Sequence, residues 1–160
     1  MSRSGADLAL LLLGGFRTLV DDATAELARR GFDDVRPVHD FAMRAIAAGA
    51  DNASELGRRM SVSKQAAAKT IAVLAERGYV AREPDPADAR RKLLQVTSLG
   101  EEVMRQGEAI FDELRDRWLQ QIGPDALADL EAHLTALVGP RPVRLDAPGW
   151  VAHDDGGGPA

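Results

Sequence analysis

The chain has 160 residues and a mass of 17.1 kDa, enough for one domain with a core that needs no disulfide or metal staple. Apolar residues make up 45% and charged residues 28%, which excludes a wholly disordered or collagen-like chain. A net charge of −5 argues against a polycation that coats nucleic acid, and the lack of cysteine excludes disulfides, thiolate zinc sites, iron–sulfur ligation and a cysteine redox switch.

The longest apolar run, Leu8 to Leu13, is far short of the roughly 20 residues that span a bilayer. Arg3 before it imitates a secretory signal, but Asp7 abuts the run and no clear cleavage site follows, so a cytoplasmic protein is expected. Leu8, Leu12, Phe16, Leu19, Val20, Ala23 and Leu27 recur at helical spacing and predict a first helix to about Arg30, stopped by Gly31. A second helix is expected from Pro37, a favoured first-turn residue, with Val38, Phe41, Ala45 and Ile46 inward, ending at Gly49. Asn52 with Glu55 reads as a variant capping box for a short third helix that buries Leu56 and Met60. Ser61-Val62-Ser63 is a polar break, with Ser63 capping a fourth helix whose inner face is Ala67, Ile71 and Leu74 and whose end is Gly78. Two short helices so joined form a helix-turn-helix.

Tyr79 to Glu83 and Lys92 to Val96 read as strands of a hairpin around a charged loop rich in turn residues. Ser98 with Glu101 reads as a capping box opening a long fifth helix through Val103, Ile110, Leu114, Trp118 and Leu119, reaching roughly 36 Å at about 1.5 Å per residue. A last helix follows Gly123-Pro124, carrying Leu127, Leu130, Leu134, Leu137 and Val138. From Gly139 the chain reads as an unstructured tail rich in glycine and proline.

Charge is unevenly distributed. Residues 56–92 hold nine basic side chains against four acidic ones, and the remainder 11 against 21, so a part at +5 sits beside one at −10. The positive part coincides with the helix-turn-helix and the hairpin, two shapes that enter or flank DNA grooves. On the fourth helix Lys64, Gln65, Ala68, Lys69 and Ala72 lie opposite the inner face. Gln65 could read adenine bidentately, and Lys64 and Lys69 could meet guanine or phosphate, while the alanines keep the helix slim enough for a major groove. The plainer alternative is that the alanines only raise helix propensity.

Glu55-Leu56, Ser61-Val62-Ser63, Leu74 through Gly78-Tyr79-Val80, Arg82, Asp88-Ala89-Arg90 and Val96-Thr97-Ser98-Leu99-Gly100 together resemble the MarR family of bacterial winged helix-turn-helix regulators. The resemblance implies a mainly α fold with a small β-hairpin: an N-terminal dimerisation helix (1–36), a winged helix-turn-helix (37–97), C-terminal dimerisation helices (98–138) and a flexible tail (139–160). It implies that Ser63 to Lys69 enter the major groove and that Arg90, on the wing, reaches the minor groove. Asp88 is expected to hold the Arg90 guanidinium, and Arg58, Arg59, Arg82 and Arg91 to contact phosphate. Ala68 departs from the family, many of whose members carry a polar residue there, and the prolines flanking the wing bear on its angle.

Two recognition helices one DNA turn apart require a two-fold dimer reading a near-palindrome. Leu8, Leu12, Leu127, Leu130, Leu134 and Leu137 are the interface candidates, with closure of an intramolecular bundle as the alternative for some. The family resemblance also implies a small, often aromatic or phenolic effector in a cleft between the dimerisation helices and the winged helix. Phe16, His39, Phe41, Met43, Phe111 and Trp118 are its candidate lining; a core role suits the aromatics better, and His39 beside Asp40 reads as solvated. The expected protein is a DNA-binding repressor. No enzyme is expected, since His39, His133 and His153 share no metal-ligand spacing and no nucleophile elbow or phosphate loop is present; neither a metal nor a cofactor is implied. The competing reading is a winged helix used only for protein interaction.

Overall fold

The computed structural model describes residues 4–140, which form six helices and one two-stranded sheet. Helix α1 (Gly5–Arg29) starts three residues earlier than the apolar periodicity indicates. Ser4 and Asp7 cap it reciprocally: the Ser4 hydroxyl accepts from the Asp7 N–H at 3.1 Å and the Asp7 carboxylate from the Ser4 N–H at 2.9 Å. The Ser4 backbone amide, followed by its hydroxyl, holds the Asp7 carboxyl below its ordinary pKa.

Helices α2 (Pro37–Ala47), α3 (Ala53–Met60) and α4 (Lys64–Glu76) follow, then strands β1 (Val80–Pro84) and β2 (Lys92–Val96), antiparallel with Val80 opposite Val96 and Pro84 opposite Lys92. Helices α5 (Ser98–Ile122) and α6 (Pro124–Val138) complete the order. Asn52 caps α3 through the Glu55 N–H at 2.9 Å, but the return bond expected of a capping box is replaced, because the Glu55 carboxylate turns to Arg58 and Arg59. Ser63 caps α4 through the Ala66 N–H at 3.0 Å. The cap of α5 is Thr97, not Ser98: a cap residue stands just outside the helix, and the Thr97 hydroxyl accepts from the Gly100 N–H at 3.2 Å while donating to the Gly78 carbonyl at 2.6 Å. The tail expected from Gly139 lies, from residue 141 onward, outside the described residues.

Two compact units emerge: residues 36–104, and residues 4–35 with 105–140. In the first, α2 packs on α3, α4 and β2, α3 packs on α4, and α4 packs on β1. Leu56, Met60, Ala67, Ile71 and Leu74 are buried there as the helical spacing requires. The inner face of α2 differs from expectation: His39, Ala42, Met43 and Ile46 are buried, whereas Phe41 is 36% exposed. His39 takes the first inward position as a cap, its Nδ1 accepting from the Arg36 N–H at 3.1 Å.

In the second unit, Arg30 ties α1 to α5, donating to Glu26 at 3.0 Å, to Gln106 at 2.9 Å and to both Glu113 oxygens at 2.9 Å. Arg115 joins α5 to α6 through both oxygens of Glu131, at 2.6 and 3.0 Å. A Cβ on Gly15 would stand 3.6 Å from the Trp118 ring, so this glycine gives α1 close access to α5 without excluding alanine. Ala23, Leu27, Ile110, Leu114 and Leu127 are buried, while the leucines near the start of α1 and the end of α6 stay in solvent.

Candidate nucleic-acid interface

The α3–α4 turn positions α4. Ser61 adopts a left-handed conformation at φ 55°, and Gly57 lets the chain fold back, since a Cβ there would lie 3.0 Å from the Val62 carbonyl and 3.3 Å from that of Ser63. With Ala67, Ile71 and Leu74 inward, Lys64, Gln65, Ala68, Lys69 and Ala72 are all exposed on α4. Ser63 is also exposed, with its hydroxyl accepting the capping amide.

The wing loop is built by two short side-chain turns. Asp85 accepts from the Ala87 N–H at 2.8 Å, and Asp88 from the Arg90 N–H at 3.0 Å. The Asp88 carboxylate therefore shapes the loop through the Arg90 backbone and does not clasp its guanidinium, correcting the expected bidentate pair. Two residues apart in a tight turn, the amide is the nearer donor.

Carboxylates sort the basic side chains. Glu55 pairs with Arg58 at 2.6 Å and with Arg59 at 2.8 Å, and Arg59 also donates to the Ala48 carbonyl at 2.7 Å. Arg58 and then Arg59 hold the Glu55 carboxyl below its usual pKa, and Glu55 raises that of Arg58. Arg91 pairs with Asp51 at 2.7 Å. The expected phosphate contacts Arg58, Arg59 and Arg91 are thus engaged within the chain, whereas Lys64, Lys69, Arg82, Arg90 and Lys92 have no ion-pair partner among the described residues. Asp51 and Glu55 lie just outside the 56–92 window, and over residues 36–104 the balance is eleven basic to nine acidic, or +2 rather than +5. Glu55 is foreshadowed by its i,i+3 and i,i+4 spacing to the arginines. Asp51 has no comparable local signal, being 40 residues from its partner.

Residues 41–91, which include all of α3, α4 and the wing loop, match the MarR family model. The match covers the helix-turn-helix and the wing loop, about a third of the chain. A crystal structure of a MarR-family transcriptional regulator from Rhodococcus sp. RHA1 matches at 21% identity and a TM-score of 0.64, over 89% of this chain and 100% of that one. CouR from Rhodococcus jostii RHA1, bound to p-coumaroyl-CoA, matches at 22% and 0.62 over the same shares. FabT from Streptococcus pneumoniae, in complex with DNA, matches at 17% and 0.69, over 84% of this chain and 95% of that one. At these identities the shared property is the MarR-type fold, mainly helical with a two-stranded wing. No curated protein matches the chain. The family named in these matches is one of transcriptional regulators, not of enzymes.

The candidate effector residues divide between the two units. In residues 36–104, Met43 and His39 are buried and Phe41 is partly exposed, so His39 is not the solvated residue its neighbour Asp40 suggests. Its Nδ1 also lies 3.4 Å from an Arg77 Nη. In the other unit Phe16 and Trp118 are half-buried and Phe111 is 37% exposed. Of the interface candidates, Leu127 is 3% exposed and so offers a partner almost no surface. Leu8, Leu12 and Leu137 are exposed, and Leu130 and Leu134 half-buried. Among the described residues no cluster of His, Asp or Glu could hold a metal ion, and no helix is long and apolar enough to cross a membrane.

Proposed function

We propose that this chain acts in the cytoplasm as a homodimeric, sequence-specific DNA-binding regulator, a repressor relieved by a small aromatic or phenolic ligand. The observation that carries the reading is the set of basic side chains with no carboxylate partner among the described residues: Lys64 and Lys69 on α4, Arg82 and Lys92 on the strands, Arg90 on the wing. Those elements fit a major groove and its flanks, and uncommitted donors there suit a polyanion. In support, FabT was solved with DNA, a MepR variant from S. aureus with an oligodeoxyribonucleotide, and CouR with p-coumaroyl-CoA. Leu8, Leu12 and Leu137 offer apolar surface for a second copy. Selection of bound sequences from random duplex DNA at physiological salt tests the reading. A near-palindrome is expected, and recovery of no enriched site would favour a protein-interaction module.

A further inference from the structure

Arg91 stands on the wing beside Arg90, yet the two are placed differently. Its guanidinium meets the Asp51 carboxylate at 2.7 Å, across 40 residues of chain, in the turn before α3. The other Asp51 oxygen accepts from the Asn52 side chain at 2.7 Å, and the Asp51 carbonyl receives the Leu94 N–H of β2 at 3.4 Å. The Arg91 backbone meanwhile closes the wing, its carbonyl accepting from the Asp85 N–H at 2.8 Å and its N–H donating to the Asp88 carbonyl at 2.9 Å. One residue is therefore part of the loop closure and is tied by its side chain to the body of the winged helix. The pair is half in water, with side-chain exposures of 57% and 25%, so its energy is small. A small energy suffices for orientation, because the loop from Asp85 to Arg91 extends beyond the paired strands.

We infer that Asp51 is a positioning residue for DNA binding: through Arg91 it sets the angle of the wing so that Arg90 meets the duplex, and Arg91 is not itself a phosphate contact. The inference rests on the DNA-binding reading above. Its signature is a sign. A carboxylate beside a DNA-binding surface repels phosphate, so on charge alone removing Asp51 tightens binding; as a latch, removing it weakens binding.

The experiment uses the full chain and a duplex recovered by the selection described above, comparing Asp51→Ala, Arg91→Ala, the double variant and the exchange D51R/R91D. Asp51→Ala is expected to weaken binding about threefold to fivefold, the range an exposed pair can carry, with an unchanged thermal midpoint. The double variant is expected to be no weaker than Arg91→Ala alone, and the exchange to recover most of the affinity. Arg91→Ala should leave the salt slope unaltered. Tighter or unchanged binding by Asp51→Ala, or a slope reduced by about 0.9 per site in Arg91→Ala, overturns the latch while leaving DNA binding intact. If the wild-type chain binds no duplex at all, the DNA-binding reading fails and the latch with it.

Discussion

Arg90 and Gln65 are both exposed donors, but they make different demands on DNA. Arg90 sits on the wing with its backbone amide held by Asp88 and its guanidinium without a carboxylate partner among the described residues, so its proposed contribution is chiefly charge brought to the duplex. Arg90→Ala should weaken binding to every sequence and lower the salt slope by about 0.9 for each protomer bound, as measured by titration from low to physiological salt. Gln65 projects from the first turn of α4 and can hold an adenine edge through two bonds. Gln65→Ala should instead relax preference at one base pair of each half-site by about 1–3 kcal/mol and leave the slope alone, which repeated sequence selection with the variant would reveal. The exposure of Gln65 was legible in the sequence, because a buried stripe of Ala67, Ile71 and Leu74 dictates which residues of α4 face away from it, and that of Arg90 because it stands in a charged loop rich in turn residues. The fate of the other arginines was only partly legible. Glu55 reaches Arg58 and Arg59 at helical spacing, but only the folded chain brings Asp51 to Arg91.

Among the elements, the junction between the wing and α5 is the least forgiving. A Cβ on Gly100 would fall 2.2 Å from the Tyr79 carbonyl and 2.7 Å from a Val96 methyl, and backbone cannot yield as a flexible side chain can. Gly100→Ala should cost about 1–3 kcal/mol, seen as a lower urea midpoint with an unchanged m-value. The Thr-x-x-Gly pattern was visible in the sequence, but not its reason: Thr97 caps the helix and also bonds the turn after α4, and the glycine makes room for that approach. Ser98 was mistaken for the cap because both residues are good caps and local sequence does not say which is the last outside the helix. The face of α2 was misjudged for a related reason. Hydrophobicity favours Phe41 as the inward residue, whereas the fold buries a capping histidine and the small Ala42. Strand ends, by contrast, were foreseen within a residue, since turn residues bracket them closely.

At the scale of the whole molecule, stability depends on acidity through a few carboxylates. Glu26 with Arg29 and Arg30, Glu55 with Arg58 and Arg59, and Glu131 with Arg115 all have lowered pKa values, largely from these hydrogen bonds. A carboxylate depressed in the folded state stabilises it above the unfolded value of 4.5, and that contribution is lost as pH falls through the folded value. The pairs should therefore contribute nearly constantly from pH 7 down to about pH 5 and fade below, and Glu131→Gln should flatten this acid limb in urea melts recorded against pH. Assembly is a second property of the whole. Leu137 is 81% exposed, so Leu137→Asp should cost the protomer little; if α6 lies in the dimer contact, the variant should elute as a monomer at concentrations where the wild type is dimeric. The helical unit was legible as apolar stripes, but what covers them was not, because one chain's periodicity does not distinguish a neighbouring helix from a second copy.

The leucines at the start of α1 also bear on how the protein is made. They leave the ribosome well before Glu113 and Gln106, which anchor the end of α1 through Arg30 and lie more than 75 residues later, and before α6, later still. At about 5–20 residues per second, α1 passes roughly 4–15 seconds of synthesis without those partners. During that interval Leu8 and Leu10 to Leu13 form an apolar segment with no charge inside it, the kind of surface that chaperones bind and that aggregates when synthesis is forced. A lower level of expression should thus raise the soluble yield, because fewer such segments are exposed at once, and the stretch of chain proposed to join two protomers is also the one most exposed before either is complete.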